Sequence, residues 1–190
     1  MTIFVPGWMQ GGTYLAKQDR INSRAADWDE GVSKRTSFKV VQRGAGANLT
    51  VDVSAGTAIV QGDDESFQGN YNVFNDAVVN LTGFVATSSN TRYDLVGIQI
   101  NDPNAGGAAG NNAVITRVAG VQAASPVIPA TPNSFLLLAI IGPFTTSTTS
   151  ITNSLIHDAH TATGPTGVTG ARLLAGFRDW KRDQGSASAL

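Results

Sequence analysis

The chain has 190 residues, a formal net charge of −1, 42% hydrophobic residues, 14% charged residues and no cysteine. This length fits one domain with terminal extensions, or at most two small domains, and carries enough apolar side chain for a real core. The composition excludes disulfides and thiol redox chemistry, offers no basic stripe for nucleic acid, and in its longest apolar run, residues 135–141, falls far short of the roughly 20 residues that span a bilayer.

Charge is low against the roughly 25% of an ordinary soluble domain. Gly, Ala, Ser, Thr and Asn take its place, which suits β-structure rich in turns. It also suits a surface partly covered by neighbours; a monomer with a neutral polar face is the plainer alternative. The opening MTIFVPGWMQGG lacks a basic region followed by a long apolar run, so no signal peptide is expected. Residues 1–12 are expected to form an extended arm, broken by Pro6, Gly7 and Gly11-Gly12. Trp8 and Met9 in this arm either tuck onto the chain's own domain or anchor on a neighbour.

A helix is expected over residues 13–31, capped by the Thr13 hydroxyl and stopped at Gly31. Tyr14, Ile21, Ala25 and Trp28 make a narrow apolar stripe, with Lys17, Asp19, Arg20, Arg24 and Glu30 opposite. The stripe fits the edge of the chain's own β-domain or a seam between symmetry-related copies.

From Phe38 the period changes to two, with Phe38, Val40 and Gln42 on one face. Leu49, Val51 and Val53 alternate as a half-buried strand, Ala55-Gly56 reads as a turn, and residues 57–61 return. This hairpin would set Val51 near Ile59. Residues 62–69 read as a polar loop, and 71–74 and 77–81 as a pair around the turn-prone Asn75-Asp76. Residues 92–101 are the strongest strand, with Val96, Ile98 and Ile100 facing the core. Residues 102–112 read as a mobile loop without packing residues, 113–121 as a strand, the proline-rich 125–132 as an extended crossover, and 134–141 as a fully buried strand.

Six to eight short strands without helical crossovers predict a mainly β fold. The expected form is an antiparallel β-sandwich, jelly-roll-like, over residues 36–158, with an N-terminal helix and a short C-terminal helical segment. Residues 159–190 are expected to hold a Gly/Thr linker, a short helix with Leu173, Phe177 and Trp180 at helical spacing, and a flexible tail. The linker's GPTGVTG carries glycine at every third place; two such triplets resemble the start of a collagen-type repeat but suit a plain linker.

Candidate chemistry is sparse. His157 and His160 stand at i and i+3, whereas paired zinc ligands on one helical face stand at i and i+4. Asp63-Asp64-Glu65 lacks the alternating oxygens and the glycine of a calcium loop, and reads as exposed loop charge. No nucleophile elbow, phosphate loop or dinucleotide motif is present. Tyr71, Phe74, Phe84 and Tyr93 fit either a sugar-stacking face or core packing. No catalytic residue, metal or cofactor is expected.

Taken in order, GGTYLAKQDR with DEGV, then LTVDVSAGTAIVQGDD, NYNVFNDAVVNLT and NTRYDLVGIQIND, then ASPVIPATPNSFLLLAII and TSITNSLIHD resemble minor tail, baseplate and tail-tip proteins of long-tailed bacteriophages, over roughly residues 10–158. The resemblance implies a structural virion component, synthesised in the host cytoplasm and arranged in several copies among other phage tail proteins. It implies no catalytic residue. Trp8, Tyr14, Ile21, Trp28, Leu173, Phe177 and Trp180 are then the expected contacts with copies or partners, and the seam-like helix and glycine triplets suggest a trimer. The alternatives are a carbohydrate-binding receptor module on a host cell-surface glycan, a capsid head fibre or decoration protein, and a small cell-wall hydrolase using His157, His160 or the acids at 63–65.

Overall fold

A computed structural model describes residues 16–25 and 30–159. The arm at 1–12, the expected helix ends at 13–15 and 26–29, His160, the glycine triplets and the segment 171–182 lie outside the described residues.

The described chain is mainly β. One helix, α1 (Ala16–Ala25), precedes the strands β1 (Gly31–Val32), β2 (Val40–Gln42), β3 (Val51–Val53), β4 (Gly56–Gly62), β5 (Gly69–Asn75), β6 (Val79–Leu81), β7 (Arg92–Asn101), β8 (Asn112–Ala119), β9 (Phe135–Phe144) and β10 (Ile156–Asp158). Every pairing is antiparallel. The strands form three sheets, ordered β1-β4-β5, β10-β9-β7-β8 and β2-β3-β6. Gly31 starts β1 and pairs with Ile59, so it is not the helix stop that its sequence position suggested.

Two expected hairpins are not formed. Val51 pairs with Gln42 and Leu81, whereas Ile59 pairs with Gly31 and Asn72, in another sheet. The divide falls at Ala55-Gly56, where the chain crosses residues 36–39. Ser54 Oγ donates to the Thr36 carbonyl at 2.5 Å and accepts from the Lys39 N–H at 2.9 Å. A Cβ on Gly56 would stand 2.5 Å from Ser37 Cα, so only glycine passes this crossing. Likewise β5 pairs with β4 across the connection 63–68, and β6 pairs with β3. Asn75 spends its side chain on the Ala77 carbonyl and redirects the chain between sheets. Phe38 does not extend β2; it is a fully buried turn residue at φ 54°.

One apolar cluster draws on all three sheets. It includes Val32 and Val60, Val40, Val51 and Val53, and Val96, Ile98, Leu138 and Ile141. A second cluster of Leu95, Phe135, Leu137 and Ile140 lies on the other face of β7 and β9, flanked by Tyr93, Val118 and Ile128 from the proline-rich crossover. The two central strands are therefore covered on both faces. A continuous apolar run such as 135–141 is what such a strand requires.

Candidate functional site

The densest polar constellation lies where α1 meets the β4–β5 connection. Gln68, fully buried, accepts the Asp64 N–H with Oε1 at 2.7 Å and donates from Nε2 to Tyr71 Oη at 2.9 Å. The Tyr71 hydroxyl donates to Asp102 Oδ2 at 2.6 Å. Arg20 of α1 closes the set: its Nε donates to the Gln68 carbonyl at 3.1 Å, an Nη lies 3.5 Å from Asp102 Oδ2, and its guanidinium sits 4.8 Å from the Tyr71 ring centre. Lys17 pairs with Glu65 at 2.7 Å. Ser134, just before β9, donates through Oγ to Asp64 at 2.5 Å, and its N–H donates to Asp63.

Three expectations change here. Lys17 and Arg20 were assigned to the solvent side of the helix, yet these two attach it to the body. The hairpin and Asp102 present carboxylates, and a guanidinium can satisfy them while covering an aromatic ring. Asp64 is not a free loop charge, because Ser134 and Gln68 bind it, whereas Asp63 stays exposed, as expected, while accepting the Ser134 N–H. The start of the 102–112 loop is also anchored, although 108–112 are exposed. Asp102 caps the 3-10 turn Pro103–Ala105 through the Asn104 N–H at 3.0 Å, Ala105 is buried, and Asn101 Nδ2 donates to Asn112 across the base at 2.8 Å.

The Tyr71 pKa is pushed up to about 12. Burial disfavours the phenolate and the Asp102 carboxylate accepts its proton, while Gln68 and Arg20 pull weakly the other way. Alongside, Glu30, Gln61, Asp63, Thr131, Pro132, Phe135, Leu136 and Leu137 line a cleft of about 300 Å³. Burial raises the Glu30 pKa, the Gln61 N–H bond offsets part of that, and Asp63 adds to it.

A second constellation is buried in the four-stranded sheet. Asp94, fully buried, accepts from Arg92 Nε at 2.9 Å, from an Arg117 Nη at 3.1 Å and from the Gly120 N–H at 3.0 Å. Arg92 also donates to the Val85 carbonyl at 2.6 Å and covers the Phe144 ring; Arg117 covers Phe84, which stacks on Phe144 at 6.0 Å. Asp94 alternates in phase with Val96, Ile98 and Ile100, the face expected to be core, but its ion pairs were not anticipated. The signal was present: a charge in phase with Val96, Ile98 and Ile100 needs a buried partner.

Of the expected contact residues, only Ile21 is described, partly buried on α1. Trp8, Tyr14, Trp28, Leu173, Phe177 and Trp180 lie outside the described residues. The four aromatics considered for sugar stacking do not share a face. Tyr71 is tied to Asp102, Phe84 is buried, Tyr93 packs on the second cluster, and Phe74 is 78% exposed. His157 Nε2 lies 3.0 Å from the Gly142 carbonyl, to which it donates. Among the described residues no group of three or more His, Cys, Asp or Glu is placed to hold a metal ion.

Comparison with protein families, with curated proteins and with solved structures finds no match to this chain.

Proposed function

We propose that this chain is a structural component of a bacteriophage particle, an oligomeric adaptor or attachment module of the tail tip or baseplate. The observation that carries this reading is how the polar side chains are used. Arg20, Gln68, Tyr71, Asp102, Asp64 and Ser134 form one internally bonded set, and Arg92, Asp94 and Arg117 another. Both sets join elements of the body to each other. Such bonding stiffens a scaffold and fixes how its parts meet. The low charge and the ordered resemblance over residues 10–158 support the same reading.

The three sheets serve as the rigid part, a β-sandwich of jelly-roll-like form. Lys17 and Arg20 secure α1 to that body. In this reading the stripe of Tyr14, Ile21, Ala25 and Trp28 meets copies of the chain or other tail proteins, together with Trp8, Leu173, Phe177 and Trp180.

The test is mass spectrometry of purified particles, followed by gold-labelled antibody against the chain. The peptides are expected in the particle and the gold at the tail tip. Gold on the capsid would move the protein to a head fibre or decoration, and absence from particles would end the reading.

A further inference from the structure

We infer that β8 pairs with β8 of a second copy of this chain, antiparallel about a twofold axis at Thr116, so that two four-stranded sheets become one. Strand β8 has eight residues and is the outer strand of its sheet. The other sheet edges are short or covered. At the far side β10 has three residues, and Gln42 and Asn153 exchange bonds beside it, each side chain accepting the other's N–H. Strands β1, β2 and β6 have two or three residues. Strand β5 is approached by α1, with Arg20 against Gly69.

An unpaired strand this long normally carries lysine, proline or a bulge against edge-to-edge association. Strand β8, NAVITRVA, carries one charge, Arg117, and that side chain is drawn inward onto Asp94 and over Phe84.

Backbone parity defines what the edge offers. The Ile100 N–H donates to the Ser134 carbonyl, on the β9 side. Antiparallel strands alternate their bonds, so the odd-numbered residues of β7 serve β8. The β7–β8 register is unbroken and pairs Gln99 with Val114, Gly97 with Thr116 and Leu95 with Val118. The Gly120 N–H continues the pattern, reaching Asp94 on the same side. Ala113, Ile115, Arg117 and Ala119 therefore direct their N–H and C=O groups outward. Among the described residues no main-chain hydrogen bond reaches those groups from another segment.

A twofold axis normal to the sheet keeps each side chain on its face, so only residues of equal parity can stand opposite one another. Placing Thr116 on the axis sets Ala113 against Ala119, Ile115 against Arg117 and Val114 against Val118 of the second copy. Each of the four outward residues then exchanges both its bonds. Arg117 meets isoleucine rather than its own counterpart, so no like charges oppose. Thr116 meets Thr116, and threonine and β-branched pairs of this kind favour sheet pairing. Centring on Ile115 instead would leave Ala119 unpaired. A second copy thus matches this edge in length and register and sets no like charges directly opposite one another. The pairing rests on the strand's own chemistry and not on the virion reading, so failure to dimerise and absence from particles are separate results.

The test is sedimentation of the full chain and of Thr116→Lys and Thr116→Glu, with circular dichroism verifying that each variant folds. The wild-type chain is expected to dimerise. Each variant alone places like charges on the axis and raises the dimer dissociation constant about tenfold or more. Mixing the two in equal amounts restores dimer through an opposite-charge pair. A wild-type chain that stays monomeric, a trimer, or variants that self-associate as the wild type does would overturn the inference.

Discussion

Asp94 is a fully buried carboxylate bound by two guanidinium groups and a main-chain N–H. Removing it strands Arg92, itself only 4% exposed. Asp94→Ala is therefore expected to cost about 3–5 kcal/mol in urea unfolding; a loss near zero would show that the pairs are not holding the sheet. Tyr71 acts on a different axis. Its hydroxyl bonds both Asp102 and Gln68, so Tyr71→Phe is expected to lose about 1–2 kcal/mol at neutral pH. The folded chain holds the phenolic proton more tightly than the unfolded chain does. That contribution is intact below the ordinary value of 10.0 and drains as the pH rises through about 12. Wild-type stability is expected to fall faster than that of Tyr71→Phe across this window, and parallel curves would show that the phenol is not perturbed.

The attachment of α1 depends on a close approach as well as on charge. Gly69 has φ 89°, and a Cβ there would stand 2.6 Å from the Arg20 Cβ and carbonyl carbon. A non-glycine residue pays about 1–2 kcal/mol in the left-handed region before any clash. Gly69→Ala is expected to lift the helix from the hairpin. Amide exchange over residues 16–25 should quicken while β7 and β9 keep their protection, and unchanged helix protection would count against this contact. Gly97 shows the same logic inside a strand. A Cβ there would fall within the Phe135 ring and 2.5 Å from the Leu136 carbonyl oxygen. The second cluster thus reaches the backbone of β7, and glycine in mid-strand answers to this close packing at the point where the β7–β9 register shifts, between Val96 and Gly97.

For the whole body, the important fact is that three sheets share one apolar cluster. Leu138, fully buried in it, lies on β9, while Val51 and Val60 come from the other two sheets. Leu138→Ala is expected to cost about 2–5 kcal/mol and to weaken all three sheets together. Tyr71 and Tyr93 belong to different sheets, so their near-ultraviolet signals should disappear in the same transition as the far-ultraviolet strand signal. Two separated transitions would mean that the sheets fold as independent units.

What the sequence determined by itself was local. Alternation over 51–53 and the apolar runs at 92–101 and 135–141 specify strands, because side-chain period and β-branching act within a few residues. The mainly β class and the antiparallel pairing follow from those strands and the absence of helical crossovers. What only tertiary structure decided was which segments meet. The turn dipeptides at Ala55-Gly56 and Asn75-Asp76 look like hairpin signals, but at the first the crossing of residues 36–39, and at the second the pairing of β6 with β3, sends the chain into another sheet. Arg20 looks like a solvent-facing charge until Asp102 and Tyr71, far along the chain, arrive beneath it. The same holds for the open edge of β8: its composition can be read in one line of sequence, but its exposure depends on the placement of every other strand. Local periodicity fixes the faces of an element; the partner for each face is settled by long-range closure of the chain, where burial and ion pairing are decided together.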